Sequence, residues 1–265
     1  MLTVNNYVRA ATIEEAYELN QKKSNRVMGG MLWLRMGSRP IQTMIDLSDL
    51  GLDTIEETDL AFSIGAMVSL RMLETHSGLD LYTKGAVKES LRHIVGVQFR
   101  NLATVGGSIF SRFGFSDVTT MFLAMETEVE LFHKGRMPLA DFLNTPRDRD
   151  ILLRLIVKKT PGNFVYLSQR MTKTDFPILT CAVSDLGGVR ACVGARPGIA
   201  QMVTDERGCF SQGITQKSAQ EFGRYVKDGL AFQSNMRASG QYRGHLAEVL
   251  VKRACLMLGG QNNEG

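Results

Sequence analysis

The sequence predicts an α+β protein: an α/β domain over residues 1–160, followed over 161–265 by a domain with a three-stranded antiparallel sheet and helices. Three observations lead there. Strand-like and helix-like segments alternate through the first part of the chain; Thr160-Pro161-Gly162 is the strongest turn punctuation in it; and beyond that point strand candidates come in succession before the helices. With 265 residues and 44% hydrophobic side chains the chain is long enough for two domains with real cores, which excludes disordered, collagen-like and disulfide-scaffold classes.

The elements follow in order. Thr12-Ile13-Glu14-Glu15 is a capping box, in which the Thr12 hydroxyl accepts from the Glu15 N–H and the Glu15 carboxylate returns a bond to the cap, so a helix is expected from about Ile13 to Lys22. Arg26-Val27-Met28 reads as a short strand running into Gly29-Gly30 and then into an apolar, helix-like segment from Met31 to Met36. Residues 43–47 and 60–67 read as strands. Val87, Leu91, Ile94 and Val95 form one helical stripe, and Val118, Met121, Phe122 and Met125 another, with Ser116-Asp117 as the N-cap pair of the second. Between them lies a second double glycine, Gly106-Gly107, with strand-like flanks. Residues 129–132 and 151–157 complete the strands of the first domain.

In the second domain, residues 164–167, 178–183 and 189–193 are the three strands, the last two joined by a turn at Asp185-Leu186-Gly187-Gly188. The final helix places Leu246, Val249, Leu250, Ala254 and Met257 on one face and stops at Gly259-Gly260, after which Gln261 to Gly265 should fray.

Charge and motif searches narrow the function classes. Thirty-one Lys plus Arg against 27 Asp plus Glu, with no basic face, argue against a nucleic-acid partner. The opening residues carry Asn5, Asn6 and Arg9 where a signal peptide needs an apolar stretch, and no apolar run approaches the roughly 18 residues of a membrane span, so a cytoplasmic protein is expected. Cys181, Cys192, Cys209 and Cys255 are isolated from one another, and no His stands at finger spacing. Neither zinc nor an iron–sulfur cluster therefore has a ligand set, and no catalytic acid, base or nucleophile motif is present.

Glycine pairs beside strands admit two readings: tight turns, or loops that aim several backbone N–H groups at one anion, usually a phosphate. Neither pair fits the P-loop or the GxGxxG spacing, so Walker-type hydrolysis and a Rossmann dinucleotide fold are disfavoured.

Met28-Gly29-Gly30, Ile45-Asp46-Leu47, Ile64-Gly65-Ala66, the block Arg100-Asn101-Leu102-Ala103-Thr104-Val105-Gly106-Gly107-Ser108 and Asp117 together resemble the FAD-binding subunit of molybdenum hydroxylases, a family that includes xanthine dehydrogenase, nicotinate dehydrogenase and aerobic carbon monoxide dehydrogenase. Ala140-Asp141-Phe142-Leu143, Gln169-Arg170 and Arg237 to Arg243 extend the resemblance over the whole chain. It implies a PCMH-type FAD-binding domain of two α/β subdomains, about 1–55 and 56–160, and a C-terminal domain over 161–265. It implies FAD pyrophosphate on the main-chain N–H groups of both glycine segments. The residues implied to bind are Val27, Met28, Gly29, Gly30, Met31, Leu32, Trp33 and Leu34 in the first segment and Ala103, Thr104, Val105, Gly106, Gly107 and Ser108 in the second. Asp117 would reach FAD hydroxyls or serve only as a helix cap, and Leu152 and Arg170 would pack near the flavin or be ordinary core and ion-pair residues.

The resemblance also implies a division of labour. A large molybdopterin subunit oxidises the substrate, a small subunit with two [2Fe–2S] clusters relays electrons, and this chain passes them through FAD to an acceptor such as NAD+; overall likeness points to xanthine or a related N-heterocycle as substrate. No catalytic side chain is then required here. Two departures stand out: Met31 and Leu32 replace the polar pair that usually follows the first Gly-Gly, which removes side-chain bonds while leaving backbone donation, and Phe110 to Phe115 replace an Ala/Ser/Pro-rich stretch. Arg112 would offset phosphate charge there, and the Phe residues would pack on adenine, a partner or the core. Gly106→Val is expected to block flavin approach. The competing readings are a structural or assembly subunit that has lost FAD and an independent flavin oxidoreductase.

Overall fold

The computed structural model describes residues 2–260, so the tail expected to fray lies outside the described residues. The chain runs β1 (Val4–Arg9), α1 (Ile13–Asn20), β2 (Arg26–Met28), a single 3-10 turn (Leu34–Met36), β3 (Ile41–Asp46), β4 (Ile55–Glu57) and β5 (Ala61–Gly65). Six short helices follow: α2 (Leu70–Thr75), α3 (Ser77–Thr83), α4 (Ala86–Leu91), α5 (Val97–Leu102), α6 (Val105–Phe110) and α7 (Asp117–Leu123). Then come β6 (Thr127–Leu131), β7 (Gly135–Pro138), α8 (Leu139–Asn144), β8 (Leu152–Lys158), β9 (Asn163–Arg170), β10 (Pro177–Asp185), β11 (Val189–Gly194), β12 (Gln201–Thr204), α9 (Gln216–Gly229) and α10 (Gly240–Leu258). These fall into two compact units. The first takes the residues up to Leu73, Val97–Ser111 and Thr127–Lys158; the second takes Glu74–Gly96, Arg112–Glu126 and the described residues from Lys159 on. The chain therefore crosses between the units before residue 159, at positions with no turn signal of the strength of Thr160-Pro161-Gly162.

The first unit holds two sheets. In the parallel sheet, ordered β1-β3-β2, β3 is central and buried from Thr43 to Asp46, as expected of a parallel strand covered on both faces. The antiparallel sheet, ordered β4-β5-β8-β6-β7, buries Phe62, Ile64, Val129, Leu155 and Val157. Helix α1 begins as the sequence predicts, with the Thr12 hydroxyl accepting from Glu15 N–H, but the Glu15 carboxylate accepts from Ala11 N–H, one residue ahead of the cap. The helix ends two residues early. Arg149, from the charged turn before β8, donates to the carbonyls of Lys22 at 2.8 Å and Asn25 at 2.9 Å, supplying partners that further helical turns would otherwise have provided.

The second glycine pair differs from expectation: Gly106 and Gly107 lie inside α6 rather than in a loop with strand flanks. Thr104 is its N-cap, and its hydroxyl accepts from Gly107 N–H at 3.0 Å. The stripe read from Val87 to Val95 is also cut short. Helix α4 stops at Leu91, and Val95 adopts φ +52 with half its surface exposed.

The sheet of the second unit has four strands instead of three, ordered β12-β11-β10-β9, all antiparallel. The added edge strand β12 is short and mostly exposed, so it carries no apolar alternation to read. Central β10 is buried from Pro177 to Ser184. Its Cys181 and Val183 join the core formed with Phe222, Val226, Ala247 and Val251 of α9 and α10, while Thr180 and Ser184 bond to Thr120 (2.8 Å) and to the Ala124 carbonyl (2.6 Å) on the α7 side. Helix α10 buries Leu246, Leu250 and Ala254 as predicted and ends at Gly259, but Met257 is 47% exposed. Cys181, Cys192 and Cys255 are buried, and burial pushes each thiol well above its ordinary range, as befits small core side chains.

Candidate functional site

The first glycine segment leaves the parallel sheet at the end of β2, where Val27 and Met28 are half-buried. It turns at once against the start of the second segment. A Cβ on Gly30 would stand 1.8 Å from the Leu102 carbonyl oxygen and 2.5 Å from its carbon, so only glycine fits. A Cβ on Gly29 and one on Gly107 would each stand 3.0 Å from the same atom, the Thr104 hydroxyl oxygen. Residues far apart in sequence thus converge on one threonine.

The two segments differ in what their N–H groups are free to do. In α6, Val105 N–H donates to Val68 O (2.9 Å), Gly106 to Ala66 O (2.7 Å), Gly107 to the Thr104 hydroxyl (3.0 Å) and Ser108 to Thr104 O (3.1 Å). The Ser108 hydroxyl also donates to Thr104 O at 3.0 Å. Gly106 packs so tightly on the β5 exit that a Cβ would meet Ala66 O at 2.7 Å, which makes its first role structural and means Gly106→Val disrupts that packing directly. In the first segment, by contrast, the N–H groups of Gly29, Gly30, Met31 and Leu32 donate to no acceptor among the described residues. Gly29, Gly30 and Met31 are part-buried and Leu32 is buried, and successive backbone N–H groups without an internal acceptor can together serve an anion. Met31 adopts φ +60, a left-handed conformation that costs a non-glycine residue about 1 kcal/mol or more. These residues fit a bound pyrophosphate.

Around this turn, Leu32 is buried, Trp33 is 42% exposed, and Leu34 opens the 3-10 turn. Ala103 accepts from Leu70 N–H at 2.8 Å. Leu152, at the start of β8, is buried opposite Leu131 in the antiparallel sheet. Met31→Asn is expected to leave flavin affinity within about threefold, under about 1 kcal/mol, because donation comes from the main chain and Asn tolerates the left-handed region. Flavin titration of the purified variant measures this.

Asp117 and Arg170 belong to the second unit and bind each other. Asp117 is the first residue of α7, whose N-cap is Ser116; its buried carboxylate takes a short ion pair from the Arg170 guanidinium and a hydrogen bond from the Tyr166 hydroxyl. Arg170 also donates to Asp175 O at 2.7 Å. Burial pushes the Asp117 carboxyl up to about 6, against the opposing pull of Arg170 and Tyr166, and raises the Tyr166 phenol well above its usual range. Tyr166 escaped the sequence reading, although β9 alternates and Phe164 and Tyr166 share its buried face. Phe115, from the stretch after α6, packs edge-on against Phe176 at 4.7 Å. Among the described residues no cluster of His, Cys, Asp and Glu could hold a metal ion, and no helix is long and apolar enough to cross a membrane.

Comparison with known proteins bears on this geometry. The chain is 24% identical over 254 residues to the uncharacterized protein YgfM of Escherichia coli K12, covering 94% of each. It is 25% identical over 281 residues to the nicotine 6-hydroxylase medium subunit of Paenarthrobacter nicotinovorans, covering 96% of each. In fold it is similar to a chain of quinoline 2-oxidoreductase from Pseudomonas putida 86 (TM-score 0.83, 18% identity, 98% of this chain and 97% of that one). It is likewise similar to a chain of carbon monoxide dehydrogenase from Hydrogenophaga pseudoflava (TM-score 0.81, 20% identity, 96% of each). Residues 3–159, more than half of the chain and all of the glycine-segment geometry, match the FAD binding domain in molybdopterin dehydrogenase, and the chain belongs to that family.

Proposed function

We propose that this chain is the electron-transferring FAD subunit of a three-part molybdenum hydroxylase, working with a small [2Fe–2S] subunit and a large molybdopterin subunit and delivering electrons to NAD+ or another acceptor. The observation that carries the reading is the run of unpartnered N–H groups from Gly29 to Leu32 beside Thr104. The family match and the names of the nicotine and quinoline relatives support it, and they favour an N-heterocyclic substrate, xanthine or a relative, oxidised in the cytoplasm by the molybdopterin partner.

In this proposal the FAD-binding domain is residues 1–160 and the C-terminal domain 161–265. The first segment, Val27 to Leu34, holds the pyrophosphate by main-chain donation. Ala103 to Ser108 form a rigid wall that the first segment approaches through its own Gly29 and Gly30, and Leu152 supports it from the sheet. Asp117 and Arg170 contribute as a pair. When bound, FAD supplies the redox chemistry; the protein binds and orients it.

Trp33 is the one tryptophan of the chain and lies in the first segment, so intrinsic fluorescence reports on it directly. Titration with FAD is expected to quench Trp33 fluorescence saturably and to give a protein that retains flavin absorbance after gel filtration. A folded chain that shows neither would overturn the proposal and leave an assembly role.

A further inference from the structure

The second unit carries a half-open cavity of about 380 Å³ that none of the glycine-segment residues lines. That volume is within the range of small-molecule sites. Three arginines reach it, Arg112, Arg237 and Arg243, and no acidic side chain is among its described lining residues. Arg112 and Arg243 are nearly inaccessible, at 4% and 1% exposure.

Arg243 spends its guanidinium on neutral acceptors, the carbonyls of Ile178 and Ala195 and the Asn235 side chain at 2.6 Å, and its buried Nε has no acceptor among the described residues. Arg237 meets one carboxylate, Asp175 at 3.2 Å, and its buried Nε is likewise without an acceptor there. A buried cation facing only neutral groups is costly, and a second cation nearby adds repulsion. Burial and the charge of Arg237 accordingly pull Arg243 below its ordinary range. One wall is aromatic: Phe115 and Phe176 meet edge to face, and the Arg237 guanidinium lies 4.8 Å from the Phe176 ring centre.

We infer that this cavity is a binding site for a small aromatic carboxylate, its anionic end between Arg237 and Arg243 and its flat ring against Phe115 and Phe176. Planar guanidinium groups match a carboxylate in two-point geometry, and aromatic walls favour a flat apolar body. The inference does not depend on how the glycine segments bind flavin.

Calorimetric titration of the full chain with 2-naphthoate tests it, with 2-naphthalenemethanol as the uncharged analogue and inorganic phosphate as the bare anion. The expected result is binding of 2-naphthoate alone, weakened at least about tenfold in Arg237→Gln and in Phe176→Leu, each with a wild-type melting temperature; tenfold corresponds to about 1.4 kcal/mol. The inference is overturned if 2-naphthoate does not bind, if phosphate or the alcohol binds equally well, if both variants bind like wild type, or if saturating FAD displaces the acid, which would make the cavity part of the flavin site.

Discussion

Gly30→Ala is expected to abolish flavin binding and to lower stability by more than about 3 kcal/mol, above the usual cost of one inserted methyl group. The added Cβ would overlap the Leu102 carbonyl, with 1.8 Å to its oxygen, and backbone on the α5 side has no flexible end to move aside. Relief requires the two glycine segments to separate, which displaces the free N–H groups of residues 29–32 from the Leu102 and Thr104 they pack on. Gly107→Ala is the informative control: its Cβ meets a single side-chain oxygen, that of Thr104 at 3.0 Å, and Gly107 is exposed. Thermal melts together with the Trp33 fluorescence titration should show a folded, flavin-binding Gly107→Ala chain beside a Gly30→Ala chain that binds no flavin at any concentration. Equal behaviour of the two variants would refute this account of the site.

Asp117→Ala is expected to cost about 3–5 kcal/mol, the range found when one partner of a buried ion pair is removed. Arg170 would keep its charge in a site closed to water, and the Tyr166 hydroxyl would lose its acceptor. Asp117→Asn retains an acceptor of the same shape and should cost clearly less. The pair also gives stability a pH dependence of definite sign. The folded carboxyl titrates at about 6, above its ordinary 3.8, so between about pH 4 and 6 the folded chain holds a proton that the unfolded chain has released. This contribution is fully present below about pH 4, is lost as pH rises toward 6, and amounts to roughly 3 kcal/mol at most, at about 1.36 kcal/mol per unit. Urea unfolding from pH 4 to 7 should show that decline in the wild type and its absence in Asp117→Asn; a decline of the same size in the Asn variant would assign it to another group.

Local signals predicted much of the fold. The Thr12 cap starts α1 and the Gly259 stop ends α10 where the sequence puts them, and β3 and β6 overlap the strands read at 43–47 and 129–132 with ends shifted by one or two residues. Where local and tertiary demands conflicted, the tertiary ones prevailed. Arg149 ended α1 from more than a hundred residues away, and the carbonyls of Ala66 and Val68 together with the Thr104 cap turned the second glycine pair into a helix. Strand β12 stayed hidden because an exposed edge strand needs no apolar periodicity.

The candidate site shows the same division. By itself the sequence picked out two glycine pairs and four cysteines without cluster spacing and, through the Arg100 to Ser108 block, showed which family the chain resembles. Only the tertiary structure decided that the pairs do different work. The first keeps its N–H groups open, while the second gives its own to the fold and presses Leu102 and Thr104 against the first. The tertiary structure likewise decided that Asp117 answers to Arg170 and Tyr166. The physical reason is common to both cases: whether a polar group is free or satisfied depends on which distant residue reaches it, and such pairings follow from packing rather than from spacing along the chain.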